Sequence, residues 1–102
     1  MQFDREFEIP LWLTHARVLV RTGGQPIHTY AVLLQIEHDE QWTTVRLIDN
    51  HLDRHHMHRY DGDSKQDAEQ FAVGDVSKVL PDAICYLTKT ASAIILSWER
   101  SL

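Results

Sequence analysis

Histidine is the residue type whose number and spacing could support chemistry. The chain holds seven histidines, and His51, His55, His56 and His58 fall within eight residues. An unperturbed imidazole titrates near pH ~6.5, so one histidine can act as a base while another acts as an acid near neutrality. This cluster is therefore the part of the sequence best suited to proton transfer, phosphate binding or metal ligation.

A strand through residues 55–60 would sort the cluster onto two faces. Side chains alternate along a strand, and neighbours on one face lie ~6.5 to 7 Å apart. One face would hold His56, His58 and Tyr60, and the other His55, Met57 and Arg59. Two imidazoles at this separation can bracket a phosphate, as metal-independent RNA cleavage requires of its base and its acid. On this interpretation His56 and His58 transfer the protons, and Arg59 or Arg54 stabilises the phosphorane charge.

The same side chains also suit a metal ion. His56 and His58 form an H-x-H pair that can converge on one zinc or manganese ion. A third ligand can come from His51, Asp49 or Asp53. A further interpretation involves no chemistry, because hydrogen bonds between histidine and aspartate can simply hold a solvated turn. The sequence leaves these interpretations open, and the acid–base one needs no cofactor.

Polar residues on either side of the histidines have candidate roles of their own. Asp49 and Asn50 are typical of turns, where their side chains bond the nearby backbone, but Asp49 can also orient a catalytic histidine. Lys65 can bind phosphate, and Tyr60 can stack on a base. The predicted substrate-binding residues are therefore Asn50, Arg54, Tyr60 and Lys65, and the predicted catalytic residues are His58, His56, Arg59 and Asp49.

Hydrophobic periodicity predicts the elements that position these residues. Alternation with a period of two predicts strands, and apolar residues at steps of three and four from Leu80 to Trp98 predict a helix that ends near Arg100, with Pro81 close to its first turn. The predicted strands cover residues 3–9, 12–21, 27–37, 42–48 and 55–60. The sequence thus predicts one α+β domain over residues 1–102, in which an antiparallel sheet of four to five strands packs against one long C-terminal helix.

Length and composition restrict the class of protein. With 102 residues, 43% hydrophobic and 25% charged, the chain fits one soluble domain. It has no apolar run of the ~18 residues that a membrane span needs, and its start does not resemble a signal peptide, so we expect a cytoplasmic protein with no membrane partner. The single Cys85 leaves no cysteine-based zinc motif. The net charge of −5 means that binding to RNA would need a local basic patch.

The segment from residue 49 to residue 71 resembles a family of small, uncharacterised bacterial proteins. These proteins share a pattern of the form D-N-x(6)-M-H-R followed by K-Q-x-x-E-x-F. The matching positions are Asp49, Asn50, Met57, His58, Arg59, Lys65, Gln66, Glu69 and Phe71. More distantly, the layout is similar to that of TumE-type toxins from toxin–antitoxin pairs. The resemblance implies a small α+β toxin that acts on RNA and is held inactive by a helix-turn-helix antitoxin, with His58 and Arg59 in its site.

The leading hypothesis is a toxin-like, metal-independent ribonuclease. His58 and His56 would serve as base and acid, Arg59 and Lys65 would bind phosphate, and Asp49 would orient a histidine. One alternative is a non-enzymatic interaction module, such as an anti-defence or accessory protein, that binds a protein partner through its open sheet face. Another is a domain with a His/Asp metal site. A homodimer is a further expectation, because one sheet face remains to be covered.

Overall fold

Seven antiparallel strands and one long helix make up the fold in the residues that the computed structural model describes, 2–12 and 15–102. The elements are β1 (Arg5–Pro10), β2 (Ala16–Gly23), β3 (Thr29–His38), β4 (Gln41–Asp49), β5 (His55–Asp61), β6 (Ser64–Lys65), β7 (Glu69–Ala72) and α1 (Val76–Glu99). The α+β class and the C-terminal helix are confirmed. The strand count exceeds the predicted four to five, because β6 and β7 are only two and four residues long and show no periodicity. Residues 13 and 14 of the predicted second strand lie outside the described residues.

The sheet is a meander in which each of the first five strands pairs with the next along the chain. Asp39 and Glu40 connect β3 to β4 with φ of 51° and 64°, the left-handed backbone that matches a two-residue hairpin to the twist of its strands. Beyond β5, two short strands, β6 and β7, together form the edge of the sheet. β6 pairs with the C-terminal end of β5 through Tyr60 and Asp61, and β7 pairs with its N-terminal end. The segment that follows β5 therefore folds back along the whole of that strand.

Helix α1 covers one face of the sheet and forms the hydrophobic core with it. The buried side chains of the helix are Val79, Ala83, Leu87, Ala91, Ile94 and Trp98, and those of the sheet are Val18, Val20, Tyr30, Val32, Leu34, Val45 and Ile48. By length and composition α1 could cross a membrane, but core helices of soluble proteins meet the same criteria, and the apolar stripe of α1 packs on the sheet. The radius of gyration, 13.1 Å, is that of a compact domain of this size.

Pro81 lies inside α1 rather than in its first turn, which corrects its predicted place. The helix begins at Val76 and runs without interruption through this residue. Proline removes the hydrogen bond that the carbonyl of Ser77 would otherwise accept. Both Ser77 and Pro81 are exposed, so water can satisfy that carbonyl and the helix continues.

The opposite face of the sheet carries no helix in the described part of the chain. Leu19, Leu33, Leu47 and His58 lie side by side on neighbouring strands and form one row across it. The next row contains Glu6, Arg21, Ala31, Asp49 and His56. Ion pairs bridge β1 and β2, with distances of 2.7 Å from Arg17 to Glu8 and 2.8 Å from Arg21 to Glu6. This open face therefore consists of a short apolar row with charged and polar side chains on either side. At β5, the two rows described end at His58 and His56.

Candidate functional site

The turn between β4 and β5 places Asp49 opposite the histidines. A single turn of 3-10 helix, His51–Asp53, reverses the chain, and Leu52 and Asp53 both take the left-handed φ of 59°. The antiparallel register then aligns Asp49 with His56 and Leu47 with His58. His56 and His58 share one face of β5, as the alternation predicts. Asp49 on β4 and the two histidines on β5, which the turn separates in the sequence, thus lie close together on the open face.

Asp49, His56 and His58 converge. One donor atom from each side chain lies within 4.8 Å of the other two, and the two imidazole rings stand 6.4 Å apart at an angle of 89°. Asp49 is buried, whereas both histidines are partly exposed. We call these three residues the Asp-His-His cluster. Two imidazoles and a carboxylate form a donor set that can hold a divalent cation or move a proton.

The proton of His58 is fixed by a backbone contact. Nδ1 lies 2.9 Å from the carbonyl oxygen of Gln66, which follows β6. A carbonyl oxygen only accepts, so Nδ1 donates, and in the neutral ring Nε2 is the nitrogen left with a free lone pair. Metal-bound histidines are typically oriented by this kind of hydrogen bond, which also makes the free nitrogen a stronger ligand. His58 is therefore held ready to bind an electrophile.

Asp49 is a buried carboxylate with little compensation from neighbouring donors. It is only 7% exposed, and its one described hydrogen bond, from the backbone nitrogen of His51, is long at 3.4 Å. The guanidinium of Arg21, on the same cross-strand row, is engaged by Glu6. Burial of an ionised carboxylate is costly unless a cation lies nearby. A cation held between Asp49 and the two histidines would offset this cost.

A cleft of about 490 Å³ surrounds the Asp-His-His cluster. Its other lining residues are Phe3, His51 and Lys65. Lys65 lies beside the histidines because β6 pairs with β5, where Tyr60 is its partner. Of the residues predicted to act together, the structure thus gathers Asp49, His56, His58 and Lys65 in one cleft.

Other predicted site residues lie elsewhere. Arg59 aligns with Arg46 on the face that α1 covers, and its Nε lies 3.2 Å from a carboxylate oxygen of Glu69. Arg54 lines a second cleft, between the start of β5 and β7, which shares His56 with the cleft around the cluster. Tyr60 is half-buried against the hydrophobic core. The cleft around the cluster therefore has Lys65 as its cation, without Arg54 or Arg59.

Asn50 connects backbone segments. Its side-chain oxygen accepts a hydrogen bond of 2.9 Å from the backbone nitrogen of Tyr30, and its Nδ2 donates one of 2.8 Å to the carbonyl of His28. Both side-chain groups of this buried amide are therefore used to fasten the end of β4 to the start of β3. This contact positions the neighbouring Asp49.

His55 is buried on the α1 side of the sheet, apart from the cluster. Its Nε2 donates to the carbonyl of Gly74 at 2.7 Å, because a carbonyl only accepts. Nδ1 of the neutral ring then accepts from the hydroxyl of Tyr30, also at 2.7 Å. His55 thus links β3, β5 and the segment that enters α1. His55 therefore has a structural role, whereas the next residue on β5, His56, faces the cleft.

Tyr30 is expected to make the stability of the protein decrease in alkali. Burial, and second the negative charge of Asp49, raise the pKa of Tyr30 well above its ordinary value. The unfolded chain releases the proton near pH ~10 while the folded chain keeps it, so this contribution to stability is present below pH ~10 and is lost as the pH rises. We expect Tyr30→Phe to make the decline in the free energy of unfolding above pH ~10 shallower, by up to about 1.4 kcal/mol per pH unit.

Urea unfolding at several pH values between 8 and 11 measures this decline. The pKa of Tyr60 is raised by the same two causes, and Tyr60 remains in both proteins, so its contribution cancels in the comparison. Equal slopes for the parent and for Tyr30→Phe would contradict the assignment.

Phe3 is a cleft residue that the alternation pattern assigns to a strand face instead. The described β1 begins only at Arg5, and Phe3 lies in the segment before it. A sequence signal exists in Gly23, because a side chain at that position would collide with the backbone oxygen of Gln2. The small residue in β2 therefore allows the N-terminal segment to approach the open face.

Comparisons with known proteins give a family without an assigned activity. No curated protein and no solved structure matches the chain. One protein family, described as "Domain of unknown function (DUF7718)", matches residues 2–102. Since this match spans nearly the whole chain, the protein belongs to the DUF7718 family.

Proposed function

We propose that the Asp-His-His cluster binds one divalent transition-metal ion and that the protein uses it to hydrolyse phosphoesters. The convergence of Asp49, His56 and His58 within 4.8 Å is the observation that supports this proposal. Ligand atoms on a tetrahedral zinc ion lie ~3.3 Å apart, since zinc–nitrogen bonds measure ~2.0 to 2.1 Å. Metal binding would draw the three side chains together by rotation about their torsion angles.

The donor set fits an open site rather than a closed structural one. Three protein ligands leave at least one position free for water or substrate, as in catalytic zinc sites. Zinc suits the two imidazoles, manganese suits the carboxylate, and ferrous iron is also held by two histidines and one carboxylate. A bound metal ion would lower the pKa of its water and so supply hydroxide near neutral pH. Lys65 would hold the anionic substrate against the cluster.

The alternative is the metal-independent ribonuclease of a cytoplasmic toxin–antitoxin pair. His58 would take the ribose 2′-OH proton through Nε2, His56 would protonate the leaving oxygen, and Lys65 would stabilise the phosphorane. An in-line reaction places base and acid on opposite sides of phosphorus, each within ~3 Å of its own oxygen. Side chains that converge on one point fit a metal ion better. We therefore place this mechanism second.

Chelation distinguishes the two mechanisms. The protein is stripped with EDTA, reloaded with zinc, manganese or ferrous iron, and assayed on RNA and on bis(p-nitrophenyl) phosphate. We expect activity only after reloading, loss of activity in His58→Ala, and full activity in His38→Ala. His38 is a matched control because it lies at the far end of β3, where its ring packs against Trp98.

Each outcome decides between the proposals. Activity that survives EDTA but is lost in His58→Ala overturns the metal mechanism and supports the metal-independent ribonuclease. If the protein hydrolyses neither substrate with zinc, with manganese or with ferrous iron, the proposed hydrolase function is overturned.

A further inference from the structure

The N-terminal segment is fastened over the open face of the sheet. The backbone nitrogen of Asp4 donates to the carbonyl of Thr22 at 3.0 Å, and the hydroxyl of Thr29 donates to the carbonyl of Gln2 at 3.1 Å. The backbone nitrogen of Gly24 donates to the Asp4 carboxylate at 3.4 Å. These contacts lie on both sides of Phe3 along the chain and fix where its ring projects. Phe3 thereby becomes one wall of the cleft over the Asp-His-His cluster.

Gly23 makes this arrangement possible. A Cβ at this position would overlap both the carbonyl oxygen of Gln2 and the hydroxyl of Thr29. Backbone oxygen cannot move aside without moving the segment that carries it. Any larger residue at position 23 therefore displaces Gln2 and, with it, the neighbouring Phe3.

Lys65 adds a positive charge to the lining of the same cleft. Within residues 2–12 and 15–102 this lysine forms no ion pair, so its ammonium group is free to bind an anion. The β6 segment that carries it is fastened to β5 through the backbone of Gln66. The backbone nitrogen of Gln66 donates to the carbonyl of Arg59 at 2.8 Å, and the carbonyl of Gln66 accepts from His58. The cation is thus attached to the same backbone that orients a member of the cluster.

We infer that this cleft binds a nucleoside phosphate, with the phosphate between Lys65 and the cluster and the base against Phe3. This inference rests on the proposed function and names its substrate class. A phosphate alone would need the cation and the metal ion but no aromatic wall, whereas a nucleobase stacks on a phenyl ring whatever its sequence. The volume of about 490 Å³ lies within the ~300 to 1,000 Å³ typical of small-molecule sites.

Calorimetric titration with AMP and with inorganic phosphate tests the inference on the metal-loaded protein. Phe3→Leu keeps the apolar volume but removes the stacking surface, so we expect it to weaken AMP binding by about tenfold and to leave phosphate binding unchanged. Gly23→Ala should act in the same way, because it displaces Phe3. Lys65→Gln should weaken both AMP and phosphate.

Two further measurements complete the test. Metal affinity is measured in parallel and should be the same in Phe3→Leu and the parent, so a failure of the metal site is seen separately from a failure of the nucleotide site. A short single-stranded RNA is the second probe, and both the AMP and the RNA carry phosphorothioate groups so that the metal-loaded protein does not hydrolyse them during the titration. Tighter binding of RNA than of AMP supports a site for one nucleotide of a strand, and equal binding supports a site for free nucleotides. The inference is overturned if AMP binds the parent no better than phosphate, or if Phe3→Leu leaves AMP affinity unchanged.

Discussion

His58→Ala is expected to lower the affinity for zinc or manganese by at least about 100-fold. Loss of an outer hydrogen-bonding partner of a metal-bound histidine already costs ~10 to 100-fold, and loss of the ligand itself costs more. Nε2 is the nitrogen of His58 that is left free to bind a metal ion, because Nδ1 donates to Gln66. The variant also retains Asp49, so the buried carboxylate would remain with only His56 to share the ion.

Competition with a metallochromic chelator measures this affinity. Asp49→Asn removes the negative charge with little change of shape and should weaken binding to a similar degree. His51→Ala is the control that distinguishes a metal ligand from a residue that only lines the cleft. His51 lines the cleft but does not belong to the group that converges. Affinities of His58→Ala and His51→Ala that both stay within about threefold of the parent would refute the assignment of the ligands.

The second large effect is on stability and concerns the histidine next to the cluster. We expect His55→Ala to lower the free energy of unfolding by about 3 kcal/mol, because it leaves the Tyr30 hydroxyl and the Gly74 carbonyl without partners and opens a cavity. His56→Ala, one residue along the chain, should change it by no more than about 0.5 kcal/mol in the metal-free protein. His56 is partly exposed and faces the cleft.

Thermal unfolding of the EDTA-treated variants measures the difference. For a domain of this size, 1 kcal/mol corresponds to ~4 to 8 °C in Tm, so a difference of about 2.5 kcal/mol means that His55→Ala should melt at least about 10 °C below His56→Ala. A difference of less than about 4 °C between the two variants would show that the Tyr30–His55–Gly74 contacts add little to the fold.

Periodicity was sufficient to predict the central strands and α1. The alternating residues of β2, β3 and β4 and the apolar stripe of α1 reflect local geometry that one face of an element imposes on its own sequence. β6 and β7, the two short strands that complete the sheet edge, show no such periodicity in their sequences. Their pairing depends on β5, which is a contact between distant segments.

The site was predictable in part. Alternation along β5 correctly groups His56 with His58, yet both faces of this strand are polar in sequence, so the pattern could not tell which face α1 covers. Arg59 was predicted in the site from its charge and from the resemblance, although alternation already assigned it to the other face of β5, where the structure has it. The role of Asn50 in joining β4 to β3 and the place of Phe3 in the cleft also depend on contacts between separate segments.

The central claim is that the Asp-His-His cluster holds a metal ion, and crystallography at an absorption edge tests it most directly. Crystals grown with zinc or manganese would be measured on either side of the edge of that metal. We predict one anomalous peak ~2.0 to 2.2 Å from an oxygen of Asp49, a nitrogen of His56 and Nε2 of His58. An anomalous map without a peak there, or with the metal held by other residues while His58 stays bonded only to Gln66, would contradict it.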